Sequence, residues 1–255
     1  MLLAIDIGNT DIAIGIFEGN ELKSAWHIAT VANRTCDEYA IVFESLLRLK
    51  GLGIVSINQV VLCCVAPPLT SVFEDLCHYY FNVEPLVVRP GIRTGVRILV
   101  DNPQEIGSDR IVNAVAAHHF YCGPVIVVDL GTATTFDAVS REGDYLGGAI
   151  APGIGISAEA LFVRTAMLPR IEMVQPKRAI GTSTVTAMQS GIFWGYVGLV
   201  EGMISRIQHE IGEKTMVIAT GNYAETIAKT TALINTVNPD LTLSGLRLIY
   251  FMNKV

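Results

Sequence analysis

Apolar positions fall into two alternating rhythms along this chain. The opening run Leu2–Ile7 is apolar apart from Asp6, a small polar cluster follows, and apolar residues resume over 12–17. This is the pattern of a strand, a tight glycine-containing turn and a second strand. The hairpin is expected to run from Leu2 to Ala25, with Glu18-Gly19-Asn20 as a further turn before Leu22 and Trp26. From Cys36 to Lys50 the rhythm changes: Tyr39, Val42, Phe43, Leu46, Leu47 and Leu49 recur at helical spacing, and Gly51 and Gly53 end the stretch. Residues 59–65 are a continuous apolar run, which reads as a strand buried on both faces. Pro67-Pro68 breaks it, and a helix over 69–81 and a short strand over 86–88 follow.

The stretch 90–107 carries glycine, proline and polar residues and reads as a loop. A helix from Asp109 to Tyr121 carries the chain into a second unit that opens like the first. A strand over 125–129 leads into a hairpin continued by 136–139, and a Gly-rich turn follows over 146–153. Helices are expected over 156–162 and 184–212, the second with a break near Gly195 or Gly198. A buried strand over 215–219 ends at Thr220-Gly221-Asn222, and a helix over 242–253 closes the pattern. The expected organisation is therefore α/β, with two similar units over 1–118 and 119–255, each a mixed sheet flanked by helices, facing each other across a cleft.

The turn following each opening strand is where chemistry concentrates. Asp6-Ile7-Gly8-Asn9-Thr10 and Asp129-Leu130-Gly131-Thr132-Ala133-Thr134-Thr135 share a strand end, an Asp, one apolar residue, a glycine and small polar groups. Glycine lets the backbone approach an anion, turn amides and hydroxyls donate to its oxygens, and Asp holds a metal ion or its waters. One such turn alone is adequately explained as a hairpin bend with a local Asx bond. Two in matching context favour a phosphate clamp. Gly107-Ser108-Asp109-Arg110 opens a helix, where capping explains Ser108 and Asp109 but does not ask for Arg110. A carboxylate beside a guanidinium also suits general-base catalysis on an anionic substrate. Three other segments have sufficient structural explanations: Gly147-Gly148 with Pro152-Gly153, Thr220-Gly221-Asn222, and Gly181-Thr182-Ser183 as a cap before Thr184.

Composition narrows the class further. Of 255 residues 51% are hydrophobic and 16% charged, and the net charge of −6 leaves no basic footprint for nucleic acid. Five cysteines without a C-x-x-C pair fit reduced core thiols in a cytosolic protein. His118 and His119 are adjacent and point apart on a helix, so they form no ligand pair. No basic leader precedes the first apolar run and no uncharged stretch is long enough to span a bilayer, so a soluble cytoplasmic protein is expected. The apolar helix stretch 192–207 reads equally as plain core or as an interface.

Taken together, these motifs in this order, with Pro239-Asp240-Leu241-Thr242-Leu243 at the end, resemble the type III pantothenate kinases. That family belongs with actin, the heat-shock chaperone ATPases and the sugar kinases, whose lobes are ribonuclease-H-like α/β units around a nucleotide cleft. The resemblance covers essentially the whole chain. It implies ATP-dependent phosphorylation of pantothenate at its primary hydroxyl, the first step of coenzyme A synthesis. It also implies a homodimer with a shared active site, magnesium, and a monovalent cation, potassium or ammonium. By position, Asp6, Ile7, Gly8, Asn9, Thr10, Asp11, Ile12 and Ala13 would hold the ATP phosphates, with Asp6 on magnesium. Asp109 would be the proton acceptor, and Gly107, Ser108, Asp109 and Arg110 would hold pantothenate, with Thr184 reaching it from the partner subunit. Asp129 would bind the monovalent cation, and Thr132 and Gly221 the nucleotide.

Two positions depart from the family pattern. Val100 stands where a tyrosine usually contacts pantothenate, and Asn222 replaces the second glycine of a Thr-Gly-Gly. Losing a tyrosine hydroxyl removes a hydrogen bond worth about 1 kcal/mol. These departures leave two other readings open: a relative that binds ligand without turnover, and a kinase or ATPase acting on another small hydroxy acid.

Overall fold

The computed structural model describes residues 1–254. Leu2–Ile7 (β1), Asp11–Glu18 (β2) and Glu21–Ala29 (β3) form an antiparallel meander. Gln59–Cys64 (β4) pairs parallel with β1, and Leu86–Val87 (β5) parallel with β4, giving the order β3-β2-β1-β4-β5. Cys36–Leu49 (α1) starts where Thr35 and Glu38 form a capping box. Pro67–Leu76 (α2) has its prolines in the first turn, where their missing donors cost nothing. The same prolines that end β4 therefore begin α2, earlier than the sequence suggested. A π-helical turn at Cys77–Phe81 continues it and stops at Asn82, which is left-handed with φ 53°.

Alternation along β1 and β4 divides the core of this unit into two layers. Leu3, Ile5, Ile7, Val60 and Leu62 face Tyr39, Phe43 and Phe73 of α1 and α2. Leu2, Ala4, Val61 and Cys63 face a layer built from Ser108–Tyr121 (α3) and Leu241–Asn253 (α7). That layer includes Val112, Val115, Leu243, Leu246 and Ile249. α7 and α3 cross closely, because Gly245 has no side chain: a Cβ there would lie 2.3 Å from the Val112 carbonyl oxygen. The first compact unit thus comprises Met1–Val96, Asp101–Ala116 and the chain from Asp240 onward.

The second unit, Arg97–Val100 with Ala117–Pro239, repeats the plan. Val125–Leu130 (β6), Ala133–Val139 (β7) and Tyr145–Pro152 (β8) form its meander. Met216–Thr220 (β9) pairs parallel with β6, and Thr236–Val237 (β10) parallel with β9. The order β8-β7-β6-β9-β10 matches that of the first sheet strand for strand. Ile154–Arg164 (α4), Thr184–Ile211 (α5) and Ala224–Ala228 (α6) are its helices. Arg97 reaches into this unit through a two-point pair with Asp144, at 2.7 Å from Nε.

Several expectations need correction. β3 extends the first hairpin to a three-stranded meander. The stretch expected as a Gly-rich turn is the edge strand β8: its backbone pairs with β7 from Ala133↔Pro152 to Val139↔Tyr145, and Gly147 takes φ 111°. α5 runs unbroken through Gly195 and Gly198, since both face open space and the glycine cost of about 1 kcal/mol is borne by the packed face. One face of its apolar stretch is core: Phe193, Tyr196, Val197, Val200 and Ile204 are buried against β6, β7 and β9 residues, while Ile192, Trp194, Leu199 and Met203 are half-buried. α6 and β10, both short, had no sequence signal. No helix among the described residues is long and apolar enough to cross a membrane.

Candidate active site

In the first unit the Asp6 turn is held from three sides. Gly8 donates its amide to the Asp11 carbonyl at 3.0 Å, and a Cβ on Gly8 would stand 2.8 Å from that oxygen, so only glycine closes this turn. Thr30, just past β3, donates its hydroxyl to the Gly8 carbonyl at 2.8 Å and its amide to the Thr10 carbonyl at 3.0 Å. His27 on β3 meets Asp11 across 3.1 Å, and that contact holds the histidine above its ordinary pKa. Asn9 and Thr10 are exposed, whereas Ile7, Ile12 and Ala13 are buried and offer the turn only their backbone.

Asp6 is the electrostatic centre of this unit. The residue keeps partial exposure, yet burial of its carboxyl, then the charges of Asp109 and Asp11, push its pKa up to about 7. Two neighbours work the other way: Cys63 donates its thiol to Asp6 Oδ1 at 3.0 Å, and His27 adds attraction. Asp109 sits in the first turn of α3, where a helix favours an anion. Its Oδ1 accepts from the Arg110 amide at 2.9 Å, and a Cβ on Gly107 would lie 2.4 Å from the same oxygen. The Ser108 hydroxyl oxygen is buried without a protein hydrogen-bond partner. The structure thus gathers Asp6, Asp11, Asp109 and the turn glycines in one unit.

The second unit builds an equivalent turn with more glycine. Gly131 donates to the Ala133 carbonyl at 3.1 Å, and Gly153 to the Thr132 carbonyl at 3.1 Å. A Cβ on Gly153 would fall 2.3 Å from the Thr132 carbonyl oxygen. Gly221 adopts φ 90°, and its Cβ would lie 2.6 Å from Asp129 Oδ1. Asp129, Thr132, Gly153 and Gly221 therefore share one site. Thr134 hydrogen-bonds Tyr196 of α5 beneath it. Val100 is not among these groups: it packs near Gly147, close to the far end of β8. Thr184 is exposed at the start of α5, beside the Ser183–Thr186 capping box. Asn222 is exposed next to Gly221.

Sequence reasoning missed Cys63, Thr30 and His27. Cys63 and His27 act on the motif from neighbouring strands, and only strand register brings them there, with Asp6 opposite Cys63 and Ala13 opposite His27, while Thr30 follows directly on β3. A cluster of carboxylates around a buried one is costly unless a cation joins it. Among the described residues no group of three or more His, Cys, Asp or Glu forms a metal cage by itself. Magnesium on a nucleotide takes only one or two protein carboxylates, its other ligands being phosphates and water, so Asp6 fits it.

Comparison with known proteins identifies the pattern. Residues 2–206 match the family model described as type III pantothenate kinase. A type III pantothenate kinase of Dehalococcoides mccartyi strain CBDB1 is 54% identical over 254 residues, covering 100% of this chain and 97% of that protein. One from Moorella thermoacetica is 52% identical over 253 residues, covering 99% and 100%. Among solved structures, an inorganic polyphosphate/ATP-glucomannokinase from Arthrobacter sp. strain KM superposes with a TM-score of 0.52 at 14% identity, covering 99% of each chain. The two mixed five-stranded sheets flanked by helices are those of the actin-like and sugar-kinase fold, as expected.

Proposed function

The chain belongs to the type III pantothenate kinases, and from that premise we propose the roles its residues take in transferring phosphate from ATP to pantothenate. The reaction is the family's: ATP-dependent phosphorylation of pantothenate, opening coenzyme A synthesis. We assign the protein to the cytoplasm as a homodimer whose partner contributes Thr184, with potassium or ammonium at Asp129.

Phosphoryl transfer depends on positioning and charge neutralisation more than on covalent chemistry. The backbone from Asp6 through Ala13, with the exposed side chains of Asn9 and Thr10, cradles the phosphates, and Asp6 would hold the metal. Magnesium, when bound, neutralises charge on the transferring phosphates. Asp109 accepts the proton of pantothenate's primary hydroxyl as its oxygen attacks the terminal phosphorus. Arg110 orients the substrate carboxylate, and the unsatisfied Ser108 hydroxyl offers a hydrogen bond from Gly107-Ser108-Asp109-Arg110 to the same substrate. Thr132 and Gly221 hold the nucleotide in the second unit. Val100 supplies an apolar contact rather than a hydroxyl, which lowers pantothenate affinity without touching the phosphoryl-transfer groups.

The observation that carries this reading is the placement of Asp6 and Asp109 in one unit, Asp6 at the strand end before a phosphate-type turn and Asp109 at a helix start: a Cβ on Gly107 would lie 3.6 Å from Val65, whose amide donates to the Ile7 carbonyl at 3.0 Å. The test is ADP release in the presence of ATP and magnesium, with and without pantothenate and potassium. Pantothenate-dependent release is expected, strengthened by potassium. Asp109→Asn should keep the fold and nucleotide binding while turnover falls by about 10²–10⁴-fold. Persistence of near-wild-type turnover would remove Asp109 from its role, and ADP release with another hydroxy acid but not pantothenate would redirect the substrate.

A further inference from the structure

Cys63 is fully buried on β4, directly opposite Asp6 in the parallel β1–β4 register, with both side chains on one face of the sheet. Its neighbours on that face are apolar: Ala4, Ala13, Val61, Val112 and Leu243. A purely packing role would not need a sulfhydryl there. Yet its Sγ lies 3.0 Å from Asp6 Oδ1, short for a thiol donor, whereas Cys64 next to it turns its own thiol to the Ala66 carbonyl at 3.1 Å. Its other charged neighbours are the carboxylates Asp109 and Asp11, which repel it, and His27, which attracts it.

We propose that Cys63 is a positioning residue for magnesium binding: its thiol fixes Asp6 Oδ1 and so presents Oδ2 to the ion. This rests on the reading of Asp6 as the magnesium ligand. Ligating carboxylates are commonly oriented by an outer hydrogen bond whose loss costs metal affinity about tenfold or more. Here the bond crosses between two central strands, so sheet register itself aims the ligand. Cys63 itself is closed to solvent while Asp6 keeps partial exposure, so the thiol serves as a donor and not as a reactive group.

The test compares calorimetric binding of a non-hydrolysable ATP analogue as its magnesium complex and, in EDTA, metal-free. Cys63→Ala should weaken the magnesium complex about tenfold while leaving metal-free binding unchanged. Cys63→Ser retains a donor and should stay within about twofold of wild type. Should Cys63→Ala not fold, Cys63→Val, an apolar side chain of similar size, is expected to give the same selective loss. Equal weakening of both nucleotide forms, no weakening, or a serine variant as poor as alanine would overturn the proposal. Asp6→Asn separates the two assignments. If it abolishes the magnesium-dependent gain while Cys63→Ala does not, only the Cys63 role falls. If it keeps the gain, the magnesium assignment falls and takes the Cys63 role with it.

Discussion

Asp6 shows how a single residue is set in an environment that works against it. Its ordinary pKa of 3.8 rises to about 7 in the folded chain, chiefly through burial. Between these values the unfolded chain has released a proton that the folded chain still holds. Stability of the ligand-free protein should therefore fall as pH rises through this window and level off above about 7, a loss of roughly 4 kcal/mol at full ionisation. Thermal melts in EDTA from pH 4 to 8 are expected to show this decline in the wild type, and Asp6→Asn should flatten it and melt higher at pH 8. Magnesium with nucleotide should restore the wild type at high pH. The sequence already singled out Asp6 by its place before a glycine turn. It said nothing of Cys63 or His27, because a partner across a strand pair is fixed by register, and register is a property of the sheet.

At the level of elements, local signals read well where they were self-contained. α1 announces itself through periodicity, and the Asp129 turn through its glycine and hydroxyls, while the Thr35–Glu38 box that starts α1 emerged with the structure. They misled where long-range pairing outranks local preference: the glycines of β8 suggested a turn, and those of α5 a break, yet a neighbouring strand and a packed face decide both. Gly245 makes the opposite point. Nothing in the α7 pattern marks it, but the α3–α7 crossing depends on it. Gly245→Ala should destabilise the protein by about 1–3 kcal/mol, despite alanine's better helix propensity, as read by urea unfolding.

Across the whole molecule, the duplicated strand order accounts for why two similar motifs occur at all: each begins the same meander in its own sheet. A homodimer is the quaternary state we expect. Large apolar side chains stay exposed between α4 and α5, Met167 at 91% and Ile180 at 82%. Light scattering at micromolar concentration should give twice the mass of the chain, and a monomeric mass across that range would count against it.

The return of α7 to the first sheet also bears on synthesis. While a ribosome is still making the second unit, the layer of β1 and β4 containing Leu2, Ala4 and Val61 has no Leu243, Leu246 or Ile249 to cover it. These strand residues thus wait for a helix that follows the whole second unit, and a chaperone that shields nascent apolar strands would be expected to engage this face in the interval.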